Sequence, residues 1–207
     1  MPFITFEGIE GCGKSTQAQR LAERLGSRAL LTREPGGTAI GRAVREVLLD
    51  PANRGLVPTT ELLLYFADRA QHMVEVVQPA LARGRIVLCD RHVESSLAYQ
   101  GYGRRLPLEA IHSLAMLATS GLRPDAIVLF DVPVELGLAR TRKRGVQDRL
   151  EGEVLEFHER VRAGYDALVA EEPERWLRVD GSGPPDAVFD SLWRGLAGRG
   201  LVSGEAA

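Results

Sequence analysis

Residues 8–15 read Gly8-Ile9-Glu10-Gly11-Cys12-Gly13-Lys14-Ser15, a complete G-x-x-x-x-G-K-[ST] pattern. The apolar run Phe3-Ile4-Thr5-Phe6 precedes it, and Thr16 and an amphipathic segment, Gln17 to Leu25, follow. Strand, glycine loop and helix in that order give the pattern a physical meaning. Successive backbone N–H groups point inward around phosphate oxygens, and the helix starting near Lys14 adds its positive end. Lys14 is placed to reach the β/γ-phosphates, and the Ser15 hydroxyl to ligate Mg²⁺. The whole stretch Gly8 to Thr16 is therefore expected to hold a nucleoside triphosphate. The chain has only two lysines, Lys14 and Lys143, and uses Arg at its other basic positions. One of the two stands where a compact point charge suits a phosphate.

Working outward, further apolar runs at Ala29–Thr32, Ile86–Cys89, Ala126–Phe130 and Leu177–Val179 read as strands. Helical patterns separate them: Ala39–Leu49, a long one from a Thr59 or Thr60 cap towards Arg83, Leu106–Ala118, Val154–Val169 and Asp186–Leu196. Gly84 would close the long helix, and Pro79 would kink or divide it. Alternating strands and helices predict an α/β fold, a five-stranded parallel sheet of P-loop NTPase type with helices on both faces. With 207 residues and no linker, repeat or low-complexity stretch, a single domain (1–207) is expected. It would carry a lid at about 140–151, and its tail would fray after about residue 198.

The composition excludes several classes. A net charge of −2 offers no electrostatic footprint for nucleic acid. No apolar stretch approaches a membrane span, and no signal peptide precedes the first strand. Cys12 and Cys89 form no disulfide framework, which points to the cytoplasm. His72, His92, His112 and His158 show no metal-ligand spacing and read as ordinary histidines.

Ligands of parallel sheets bind beyond the carboxyl ends of the strands. There the sequence offers Arg33-Glu34-Pro35-Gly36-Gly37-Thr38, Asp90-Arg91-His92 and Asp131. Arg91 suits a phosphate or carboxylate, unless it is a structural ion pair with Asp90 or Glu94. Asp90 is expected in the Mg²⁺ shell through water. Asp131 reads as an N-cap or turn residue before Pro133. The run Arg140-Thr141-Arg142-Lys143-Arg144-Gly145-Val146-Gln147-Asp148-Arg149, five basic residues in ten, is either a solvated helix face or a lid over polyphosphate.

These stretches, with Tyr65-Phe66-Ala67-Asp68-Arg69 and Ser95-Ser96-Leu97-Ala98-Tyr99-Gln100-Gly101, resemble the thymidylate kinase family in order along nearly the whole chain. Arg144-Gly145-x-x-Asp148-Arg149-x-Glu151 is similar too. The resemblance implies transfer of a phosphoryl group from ATP to dTMP with Mg²⁺, and a homodimer. It implies that Arg91 holds the acceptor phosphate and that Arg33, Arg69, Ser96, Tyr99 and Gln100 line the dTMP pocket. Glu10 would face the dTMP sugar and position the reacting groups. The P-loop carries no basic residue at Ile9 to Cys12, which resembles the subtype whose catalytic arginines come from the lid, here Arg144 and Arg149. Tyr65 aligns with the ring that stacks on thymine, usually Phe; an alternative alignment gives that role to Phe66. Rivals are a P-loop kinase with another small acceptor and a nucleotide-dependent switch; the chain lacks the Asn-Lys-x-Asp motif that reads guanine.

Overall fold

The structure, a computed structural model, describes residues 1–145 and 148–203. Its centre is β1 (Phe3–Glu7), buried at all five positions. A strand covered on both faces has no polar side to show, hence the nearly unbroken apolar run. β3 (Ile86–Asp90) and β4 (Ala126–Asp131) flank it, with β2 (Ala29–Arg33) and β5 (Trp176–Asp180) outside. The order is β2-β3-β1-β4-β5, and every pairing is parallel. The five strands expected from sequence are all present, and each runs on one residue to a charged side chain at the carboxyl edge: Glu7, Arg33, Asp90, Asp131 and Asp180. Of these, Arg33 and Asp90 line the cleft at that edge, Asp131 makes ion pairs, and Glu7 is fully buried.

Helices cover both faces. α1 (Lys14–Leu25) buries Ala18, Leu21 and Leu25 against the sheet. α2 (Ala39–Leu49) starts where the Thr38 hydroxyl accepts from Gly41 N–H, an N-cap of the ordinary kind. α3 (Pro58–His72) is not capped by Thr59 or Thr60: Val57 stands at the cap and Pro58 is the first helical residue. Proline suits that position because its φ is helical and its missing N–H would have no partner there. The chain does not break at Pro79. A π turn over Met73–Val77 widens the helix before α4 (Gln78–Ala82), sparing Pro79 the bond it cannot donate. Gly84, at φ 76°, ends it as expected.

α5 (Val93–Ser96) runs into a second π turn, Leu97–Gly103. α6 (Leu108–Thr119) begins two residues later than the pattern suggests; Pro107 keeps Leu106 out of helical geometry. α7 (Val134–Arg144), α8 (Leu155–Glu171) and α9 (Pro185–Gly198) complete the set. Asp131 caps no helix. It ends β4 and pairs with Arg162 at 3.1 Å and Arg178 at 3.4 Å. The chain does not fray at residue 198 either: Val202 is buried and Arg28 donates to Ser203 Oγ and O. Residues 204–207 lie outside the described part. No described helix is long and apolar enough to cross a membrane.

Candidate active site

A cleft of about 900 Å³ opens at the carboxyl edge of the sheet, where the strand order reverses around β1. One wall is the glycine loop. Gly11 sits at φ 70°, and a Cβ there would lie 2.1 Å from Gly137 O; a Cβ on Gly137 would lie 2.5 Å from Glu10 O. Two glycines thus let α7 press directly on the loop. Arg140, one turn further along α7, bonds the loop from the same side. Its guanidinium donates to Gly11 O (3.3 Å), Gly181 O (2.9 Å) and Ser182 O (3.2 Å). Ile9 and Cys12 point into the core, while Gly13, Lys14, Ser15 and Thr16 line the cleft.

The Ser15 hydroxyl donates to Asp90 Oδ2 at 2.5 Å, whereas Asp90 Oδ1 is buried with no partner among the described residues. A hydroxyl and a carboxylate side by side are hard oxygen donors of the kind Mg²⁺ takes. The sequence expected both residues in that role.

Across the cleft stands Arg91, at φ 74°, a left-handed conformation uncommon for a non-glycine residue. Its guanidinium is aimed by four neighbours. Nη2 donates to Glu10 Oε1 and to Tyr99 OH, each at 3.0 Å. Nη1 donates to Ser95 Oγ at 3.0 Å and Tyr165 OH at 3.4 Å. Its ion-pair partner is therefore Glu10, neither Asp90 nor Glu94. Burial alone would raise the Glu10 carboxyl, but the His158 ring, 3.5 Å away, and the charges of Arg91 and Lys14 win and set it at about 2. Tyr99 OH donates to the same carboxylate at 2.6 Å.

Behind Arg91 lies Glu7, fully buried. It accepts from Ser95 Oγ (2.5 Å), Tyr165 OH (2.9 Å) and His92 N–H (2.8 Å). Burial and the nearby Glu94 charge outweigh these bonds and Arg91, and push the carboxyl from 4.5 up to about 7. A carboxyl raised on folding binds its proton more tightly in the folded chain, so its stabilisation is complete below about pH 4.5 and is lost as pH rises through 7. Between pH 5 and 7.5, Tm of the wild type is expected to fall relative to that of Glu7→Gln, by about 2–4 °C for each kcal/mol. Glu10 titrates below this window, and Asp68, raised by burial to about 6, is present in both proteins. Parallel Tm curves would remove the assignment.

On the acceptor side, Arg33, Arg45, Pro35 and Tyr65 line the cleft. Tyr65 is the ring that faces it. Phe66 packs instead beneath the Arg69 guanidinium, 4.5 Å away. Arg69 is almost fully buried and is not on the cleft wall. It donates to Glu34 Oε2 (2.7 Å), Ser96 Oγ (3.1 Å) and His92 O (2.9 Å). Glu34 also bonds His72 Nδ1 (2.9 Å) and His92 Nδ1 (3.2 Å). Burial opposes its charge, yet Arg69 and the histidines hold its carboxyl well below the usual range.

The structure does not bring Arg149 to the glycine loop. Its Nε donates to Leu48 O at 2.8 Å, and Nη2 lies 2.6 Å from Glu61, which is fully buried. A buried carboxylate captures the arginine, so it anchors the segment from Asp148 to Glu151 on α2 and α3. The side chain of Arg144, with residues 146–147, lies outside the described residues.

With this geometry in view, the comparisons are direct. The family model described as thymidylate kinase matches residues 6–192. The chain belongs to the thymidylate kinase family. It is 52% identical over 196 residues to a thymidylate kinase of Desulfovibrio desulfuricans, covering 90% of each chain. It is 54% identical over 206 residues to one from a Synechococcus strain, covering 97% of this chain and 98% of that one. The crystal structure of thymidylate kinase from Ehrlichia chaffeensis superposes with a TM-score of 0.77 at 34% identity, covering 94% of this chain and 98% of that one. As a member of the thymidylate kinase family, the chain phosphorylates dTMP to dTDP and uses ATP.

Glu7, Arg45, Glu61, His158 and Tyr165 are not legible as site residues in the sequence of this family member. Glu7 reads as the end of an apolar strand directly before the glycine loop, and the others lie within helical patterns. Tyr165 meets Glu7 across 158 residues of chain, and no local signal announces such a pair. Three of the four histidines, read as ordinary, are buried beside the carboxylates Glu34 and Glu10.

Proposed function

We propose that Lys14 and the loop from Gly8 to Thr16 hold the ATP phosphates, that Ser15 and, through water, Asp90 would hold Mg²⁺, and that Arg91 grips the phosphate of dTMP. The observation that carries this reading is that Lys14 and Arg91 line one cleft and that both charges act on the same carboxylate, Glu10. Mg²⁺ would neutralise charge on the transferring group, and the unpartnered Asp90 oxygen supports its place there. The acceptor is already a phosphate, so no strong general base is needed; alignment and charge stabilisation do the chemistry.

Tyr65 would stack on thymine, its flat face serving as well as Phe. Arg33 and Arg45 stand at the same wall, Tyr99 beside Glu10 at the sugar, and Ser96 and Gln100 at the base edge. Arg140 bonds the loop directly from α7, and Arg144 and Arg149 remain the family-based assignment for the lid. The position of Arg149 on Glu61 suits an anchor better than a cation at the phosphates. Leu63 on α3, Val74 on the π turn that follows it, and Met116 and Leu117 on α6 are exposed and suit a homodimer face. Two free, buried cysteines fit a cytoplasmic enzyme.

A coupled assay of ATP consumption over a panel of nucleoside monophosphates tests the acceptor, and sedimentation of the same sample tests the dimer. The expected result is Mg²⁺-dependent turnover with dTMP and little ATP consumption without an acceptor. Strong acceptor-independent hydrolysis, or preference for a purine monophosphate, would overturn the reading.

A further inference from the structure

Glu61 is fully buried near the start of α3 and belongs to no part of the phosphate machinery. Four contacts converge on it. Oε1 accepts from Gln100 Nε2 at 2.8 Å and Arg104 Nε at 3.2 Å; Oε2 accepts from Arg104 Nη2 at 3.1 Å and pairs with Arg149 at 2.6 Å. Burial would raise its carboxyl, but Arg104, Gln100 and Arg149 outweigh it and hold it below the ordinary value. An ionised carboxylate only accepts hydrogen bonds. Gln100 must therefore turn its NH₂ towards Glu61, which settles an amide orientation that is otherwise ambiguous.

The consequence follows from where these residues stand. Tyr65 is one helical turn beyond Glu61 and Arg69 one turn beyond Tyr65. Opposite, Ser96 precedes Gln100 by four residues. The bonds Glu61–Gln100 and Arg69–Ser96 thus form two rungs between α3 and the segment from Val93 to Gly103, with the Tyr65 ring between their levels. One of the two Nε2 hydrogens is committed to Glu61, which fixes the side of the amide on which the Gln100 carbonyl stands, and no described group donates to that oxygen.

We infer that Glu61 determines which base the acceptor site takes, acting through Gln100 as a positioning residue. The locked carbonyl demands a ring N–H, which thymine and uracil carry at N3. Cytosine has a lone pair there, and two acceptors would face each other without a proton between them. Ser96 points the same way: it accepts from Arg69, so its own hydrogen is free for a carbonyl. This inference rests on the acceptor site proposed above.

The test compares kcat/KM for dTMP and 5-methyl-dCMP, which differ only along that edge. In Glu61→Gln the side chain both donates and accepts, so the Gln100 amide is free to flip. The dTMP preference is expected to narrow about tenfold or more, mainly through a gain for 5-methyl-dCMP, since one misplaced hydrogen bond is worth at least a factor of that size. Glu61→Asp keeps an acceptor-only partner and is expected to retain the wild-type ratio. Arg104→Gln controls for lost stability: Tm falls while the ratio holds. A folded Glu61→Gln enzyme with the wild-type ratio overturns the inference. If that variant does not fold, N3-methyl-dTMP on the wild type decides: loss of turnover supports the locked carbonyl, and turnover equal to dTMP overturns it. Failure of the wild type to phosphorylate dTMP would instead remove the acceptor site itself.

Discussion

Arg91→Ala is expected to raise the KM for dTMP roughly 100-fold or more, the scale for truncating one partner of a buried charge pair. The KM for ATP should change little. The size follows from how the guanidinium is held. Glu10, Tyr99, Ser95 and Tyr165 fix its plane before any substrate arrives, so no ordering of a long side chain opposes phosphate binding. Arg91→Lys keeps the charge but loses the planar fork, and should recover only part of the loss. Removal of Arg91 also leaves Glu10 with fewer positive neighbours, so Tm belongs beside the kinetics. Equal losses in KM for both substrates would contradict the acceptor role.

Lys14→Ala is expected to lower kcat about 10²–10³-fold or more, as removal of one preorganised donor at developing charge does. Lys14 is buried at the first residue of α1, where helix dipole and glycine-loop N–H groups add to its field. Its loss should fall on kcat more than on binding, because the charge it meets grows during transfer. Single-turnover kinetics at saturating ATP read this directly. A variant that loses ATP affinity but keeps kcat would make Lys14 a binding residue alone.

The fold was legible because each signal was local. Phe3–Glu7 reads as a strand from its own residues, and Gly8 to Ser15 as a phosphate loop from its own spacing. Asp90 and Arg91 were legible as candidates because parallel strands put whatever follows them at the ligand edge. Errors arose where tertiary packing overrode a local rule. Asp131 looked like a cap, yet two arginines from α8 and β5 claim it. The chain after residue 198 looked free, yet Val202 found a place in the core. Arg149 looked like a cation in search of phosphate, yet a carboxylate 88 positions away had already neutralised it.

By itself, the sequence determined the sheet, the glycine loop that follows β1 and the family to which the chain belongs. Those depend on residue types at short, fixed spacings, where backbone geometry acts over a turn or a strand. Tertiary structure alone decided what each charged group is worth. It set Glu10 at about 2 and Glu7 at about 7, although both are glutamates within four residues of each other. The difference lies in which side chains the fold brings against each carboxylate, and in how completely water is removed from it.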